Sequence, residues 1–155
     1  MKTMALKFEY SVVAKCKPEH AWEKFSKLEE WPWWNRVIGQ SRWLQGQPWQ
    51  KGSQFFMELV HPRKMSFKPV ILESAPPHKI AWVGKNTGFT GEHWFTFEPQ
   101  PDGTTLLKTW ENASGWKTAF VTDSLKKSLD TIYQEWLDAL KSEAEKIARE
   151  QFARS

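Results

Sequence analysis

Six β-like runs follow one another between residues 37 and 112 with no helical segment to cross between them, and the apolar period then switches once, to that of an α-helix. The runs are 37–45, 53–60, 65–72, 79–84, 91–98 and 104–112. Turn chemistry separates them: Gly46-Gln47-Pro48, His61-Pro62-Arg63, Pro76-Pro77, Asn86-Thr87-Gly88 and Pro99-Gln100-Pro101-Asp102-Gly103. Connections this short join antiparallel neighbours, because a parallel pair needs a crossover of a dozen or more residues. From 117 to 149, Val121, Leu125, Leu129, Ile132, Trp136, Leu140, Ala144 and Ile147 make one apolar stripe. At about 1.5 Å per residue such a helix runs roughly 50 Å, which outreaches a small domain unless it lies along a whole sheet.

Upstream, 5–14 alternates as a strand with Leu6, Phe8, Tyr10 and Val12 on one face. Lys17-Pro18-Glu19 then opens a helix carrying Ala21, Trp22, Phe25 and Leu28, and Trp31-Pro32-Trp33-Trp34-Asn35 forms a second short helix or a turn. The chain is therefore expected to be α+β: a curved antiparallel sheet of about seven strands wrapped around a long C-terminal helix, with two short helices after the first strand. Its 155 residues suit one domain, 1–155, with a core over about 5–149.

Several function classes are disfavoured. Charged residues interrupt every apolar run well short of the ~20 residues a membrane span needs, so no stable membrane insertion is expected. The net charge of +4 is dispersed, without the basic stripe that tracks phosphates, so no nucleic acid partner is expected. One cysteine, Cys16, allows neither an internal disulfide nor a paired thiol site, and the opening residues carry no export signal; a cytoplasmic location follows. The four histidines fit no metal spacing, and neither a GxSxG elbow nor a phosphate-cradling glycine loop is present. Neither metal nor cofactor is expected. No motif supports a stable protein partner, and monomer and homodimer are equally compatible.

The stretches Phe67-Lys68-Pro69-Val70-Ile71, Pro76-Pro77-His78-Lys79-Ile80-Ala81-Trp82-Val83-Gly84 and Gly91-Glu92-His93-Trp94-Phe95-Thr96-Phe97-Glu98-Pro99, then Gly103-Thr104-Thr105 with Glu111 and Gly115, carry a resemblance. They resemble the central block of the SRPBCC (START and polyketide cyclase-like) superfamily, over about residues 8–148. The resemblance implies a helix-grip fold with a ligand cavity between sheet and long helix. It does not select among the carriers, cyclases, co-chaperone domains and lipid transfer proteins of that superfamily.

By alternation, Phe55, Met57, Leu59, Phe67, Ile80, Trp82, Phe95, Phe97 and Leu107 point inward, facing Leu125, Leu129, Ile132 and Trp136. On residue types alone these side chains could equally fill the space; the resemblance favours a pocket. Placing Phe95, Phe97 and Leu107 on one face brings His93 and Glu111 there too, as candidates for pocket polarity or for an acid and base pair. Eleven tryptophans are unusual for this length, and Trp31, Trp33 and Trp34 read as core cap, pocket lid or partner patch. The expectation is carriage of a small hydrophobic molecule, aromatic, polyketide-like or lipid-like. The alternatives are a cyclase, dehydratase or aromatase using His93 and Glu111, and a co-chaperone-like interaction domain.

Overall fold

A computed structural model describes residues 5–61 and 63–154. Met1 to Met4, Pro62 of the expected His61-Pro62-Arg63 turn, and Ser155 lie outside the described residues. In chain order come β1 (Ala5–Ala14), α1 (Pro18–Phe25), a 3₁₀ turn (Leu28–Glu30), α2 (Trp31–Trp34), and β2 (Ile38–Gln45). Strands β3 (Gln54–Leu59), β4 (Met65–Phe67), β5 (Val70–Ala75), β6 (Lys79–Asn86), β7 (Phe89–Pro99) and β8 (Thr105–Ser114) follow. A second 3₁₀ turn (Trp116–Phe120) leads into α3 (Asp123–Arg154).

The sheet is antiparallel with order β1-β8-β7-β6-β5-β3-β2, β4 pairing on β3. It has eight strands because the run expected at 65–72 divides in two. Pro69 has no N–H to donate to a ladder, so β4 ends on β3 before it and β5 continues on β6 after it. The long helix starts later than expected: Val121 is extended, and the Thr122 hydroxyl accepts from the Leu125 N–H at 3.1 Å, which caps α3 there.

The 32 residues of α3 span about 48 Å. Its middle is its buried part: Ile132, Tyr133, Trp136, Leu137, Leu140 and Ala144. Polar ties fix it to β1, with the Tyr10 hydroxyl donating to Asp138 at 3.1 Å and Lys141 to the Val13 carbonyl at 3.0 Å. His20 is half-buried and structural. Its Nδ1 accepts from the Lys17 N–H at 3.0 Å, so its other nitrogen carries the proton donated to Gln151 at 2.8 Å, tying α1 to the end of α3.

The core is an aromatic cluster. Trp31 meets Phe25 at 5.1 Å between ring centroids and Trp136 at 5.2 Å; Phe25 meets Phe95 at 4.8 Å; Phe55 meets Trp82 at 5.1 Å. Two indoles also do polar work. The Trp31 N–H donates to the Phe25 carbonyl and the Trp49 N–H to the Ser26 carbonyl, both at 2.7 Å, and the Ser41 hydroxyl donates to the Leu28 carbonyl at 2.6 Å. The Phe25 and Ser26 acceptors lie at the end of α1, where helix carbonyls lack intrahelical partners, and the Leu28 carbonyl also accepts the Trp31 backbone N–H of its own 3₁₀ turn. Trp49, which the sequence places in a turn, is buried with φ 62°, a left-handed conformation costing on the order of 1–2 kcal/mol that its hydrogen bond and five ring contacts hold in place.

Trp31 and Trp34 are thus buried within the core, whereas Trp33 between them is 78% exposed. Trp31→Phe keeps most of the ring but leaves the Phe25 carbonyl without its donor. It is expected to lower unfolding stability by about 1–3 kcal/mol, against less than about 0.5 for Trp33→Phe. Urea titrations of both variants check this, and equal midpoints would contradict the assigned hydrogen bond.

Candidate functional site

Past Ile132, towards its N-terminal end, α3 stands off the sheet: Leu125 and Leu129 are only half-buried, whereas Leu137 and Leu140 are fully buried. On the opposite wall Gly84 of β6 pairs with Gly91 of β7, and neither projects a side chain. A cavity of about 440 Å³ results. A Cβ at Gly91 would run into the Glu111 carboxylate, so the glycine makes the room that this carboxylate occupies.

Of the residues expected to line a pocket, Met57, Leu59, Phe67, Trp82, His93, Glu111, Leu125, Leu129, Ile132 and Trp136 do so. Phe55, Ile80, Phe95, Phe97 and Leu107 face inward but are consumed by the core that closes the far end of the space. Trp34 is also in that core, and Trp33 projects to the surface, so these two candidate ligand-binding residues do not line the cavity. Alternation fixes which face a residue occupies, not where along the sheet the helix lifts away. Leu6, Phe8 and Ala113 also line the cavity, because β1 and β8 pair in full register with Phe8 opposite Glu111. So does Tyr133, which follows Leu129 by four residues and precedes Trp136 by three, the spacing of one helix face.

Strands β7 and β8 set His93 directly opposite Glu111, yet the two do not form the candidate acid and base pair, each bonding to another side chain. Glu111 accepts a hydrogen bond from the Tyr133 hydroxyl. The Thr109 hydroxyl donates its one proton to the Trp94 carbonyl at 2.9 Å, so it accepts from His93 Nε2–H at 2.8 Å. That fixes the neutral tautomer and leaves Nδ1 as the free lone pair. Trp82, Phe95, Tyr133 and Trp136 surround the imidazole at centroid distances of 4.6–5.5 Å.

Burial dominates the charges. It depresses His93 from its ordinary 6.5 to about 3. It raises Glu111 from 4.5 to about 6, outweighing the Tyr133 bond that favours the carboxylate, and it holds the Tyr133 phenol well above its usual range. Cys16, buried and pushed up to about 11 by burial, is no nucleophile. Among the described residues no three His, Cys, Asp or Glu side chains gather closely enough to hold a metal. No described helix is long and apolar enough to cross a membrane.

The two perturbed groups pull stability in opposite directions. Glu111, raised in the folded state, contributes stability that is present below pH 4.5 and lost as pH rises through 6; His93, depressed, contributes stability present above 6.5 and lost as pH falls towards 3. Their slopes offset one another between pH 4.5 and 6. Glu111→Gln is expected to unmask the His93 contribution, so that acidification from pH 6 to 4.5 costs about 1 kcal/mol more than in the parent. Denaturant unfolding at a series of pH values checks this, and parallel profiles would contradict it.

A family model described as polyketide cyclase / dehydrase and lipid transport matches residues 5–145. No curated protein matches in sequence. Among solved structures, a hypothetical protein from Helicobacter pylori superposes with TM-score 0.78 at 15% identity, over 90% of this chain and 88% of its own. The Zhui aromatase/cyclase from Streptomyces sp. R1128 gives 0.75 at 12%, over 92% and 94%. A START superfamily protein from Mycobacterium smegmatis gives 0.67 at 17%, over 94% and 98%. At these identities the structures establish the shared helix-grip fold. With the family match covering nearly the whole length, the chain is an SRPBCC-type protein and belongs to the polyketide cyclase/dehydrase and lipid transport family.

Proposed function

We propose that this protein binds and carries, in the cytoplasm, a small and mainly apolar molecule: aromatic, polyketide-like or lipid-like. The observation that carries the reading is the cavity of about 440 Å³ between α3 and the sheet, walled chiefly by aliphatic and aromatic side chains with few polar groups. The family description, which names lipid transport beside cyclase and dehydrase chemistry, supports it.

A second reading, a cyclase, dehydratase or aromatase, draws on the Glu111 and Tyr133 pair beside His93 and on the aromatase/cyclase among the structural neighbours. Glu111, near 6, exchanges its proton close to neutrality and is the group suited to such work. His93, near 3, is too weak a base to share it, and this asymmetry favours carriage.

Trp82 and Trp136 line the cavity, so an occupant is expected to quench or shift tryptophan emission. Titration with a panel of fused-ring aromatics and fatty acyl compounds tests the reading, and Leu129→Trp, which fills the cavity, is expected to weaken every such response at least about tenfold. Silence across the panel would falsify carriage. Under the second reading Glu111→Gln retains the fluorescence response and stops turnover of a polyketide-like substrate; unimpaired turnover removes Glu111 from the chemistry.

A further inference from the structure

The charges among the lining residues are sorted by depth. Among the described residues three ionic side chains border the cavity: Glu111, Arg63 and Lys117. Glu111 lies inside, bonded to the buried Tyr133. Arg63, between β3 and β4, and Lys117, in the 3₁₀ turn before α3, are both exposed, so they stand where the cavity meets solvent. The Arg63 side chain has no hydrogen bond or ion pair among the described residues, and the Lys117 ammonium has only the ring of Trp116, 5.7 Å away. Lys64 and Lys85, both exposed, likewise have no carboxylate partner among the described residues. Elsewhere Lys7, Lys24, Arg36, Lys79, Lys108, Lys126 and Lys141 each meet an acidic side chain, while Lys27, Lys51 and Lys127, away from the cavity, have no carboxylate partner among the described residues.

We infer that the ligand is an anionic amphiphile, an apolar body bearing one carboxylate, sulfonate or phosphate, held head-outward with Arg63 and Lys117 at its head. This rests on the carrier reading and gives it a ligand class. An anionic head entering first would lose its water and approach the Glu111 carboxyl, which burial already destabilises as an anion. Left at the mouth, the same head stays hydrated and meets two cations that carry no competing carboxylate. A cationic head faces the reverse: repulsion at the mouth on every approach. The apolar body then takes the depth of the cavity against Phe67, Trp82, Leu129 and Trp136.

The test uses the neutral fluorophore N-phenylnaphthylamine, displaced from the full-length protein by decanoate, decanol or decylammonium, which share one apolar body and differ in head charge. Decanoate is expected to displace at a concentration about fivefold below decanol, with decylammonium weakest. That advantage is expected to vanish in Arg63→Ala/Lys117→Ala, to reverse in Arg63→Glu/Lys117→Glu, and to shrink as salt screens the mouth, while the fluorophore itself binds all three proteins alike. Both positions are exposed, and an unchanged urea midpoint certifies the fold of each variant. Equal displacement by the three compounds, or a decanoate preference that survives in the double alanine variant, overturns the inference while carriage stands. If neither the fluorophore nor any of the three compounds binds, carriage itself fails and takes the inference with it.

Discussion

Two indole N–H groups close the end of α1, and the remaining architecture depends on that arrangement. The Phe25 and Ser26 carbonyls would be orphaned in an apolar interior, and Trp31 and Trp49 supply their donors. A donor mounted on a large apolar ring brings the ring with it. Satisfying two carbonyls therefore seats two tryptophans at the centre, where Phe25, Phe55, Trp82 and Trp136 gather on them. Because Trp136 belongs to α3, the same cluster sets how closely the helix approaches the sheet at its middle. The far end of the interior is filled solid. Beyond Ile132, where Gly84 and Gly91 face a half-buried stretch of helix, nothing remains to fill it, and the cavity follows from the geometry of its neighbour.

Inside that cavity, polarity is scarce and each group's state is set by what surrounds it. Thr109 relays a backbone carbonyl's demand to His93 and fixes its tautomer. Tyr133 occupies the carboxylate that stands opposite the imidazole on the ladder. Two strands thus present facing ionisable side chains that do not engage one another, each with a private partner. Facing positions on a ladder establish proximity of Cα atoms and leave the choice of hydrogen-bond partner to the next layer.

Much of this was legible in the sequence. The single change from strand to helical period identified the sheet and its helix, and alternation put His93, Phe95 and Phe97 on one face. What alternation does not contain is the third dimension. Phe55, Phe95, Phe97 and Leu107 share a face with Met57, Trp82 and His93, yet the first four do not reach the cavity and the last three border it, because helix α3 lifts off partway along. The contribution of β1 depends on pairing with β8, about a hundred residues away, which no local pattern reports. Trp49 reads as a turn residue by its neighbours and is core by virtue of one hydrogen bond to the Ser26 carbonyl. Tyr133 alone had a usable signal, its helical spacing from Leu129 and Trp136.

The cavity's rim is assembled from connections: the β3 to β4 turn with Arg63, the β6 to β7 hairpin with Asn86 and Phe89 at its ends, and the 3₁₀ turn with Lys117. None of these pieces contributes a ring to the cluster around Trp31. The rim residues that meet a guest are therefore separate from the aromatic cluster, while Met57, Leu59, Trp82, Ile132 and Trp136 serve both core and cavity wall. Such a division leaves the rim free to drift under selection. A new guest can be accommodated by exchanging a few residues in three short loops, with the stability reserve of the aromatic end untouched, and that modularity is a physical basis for evolvability in a scaffold of this shape.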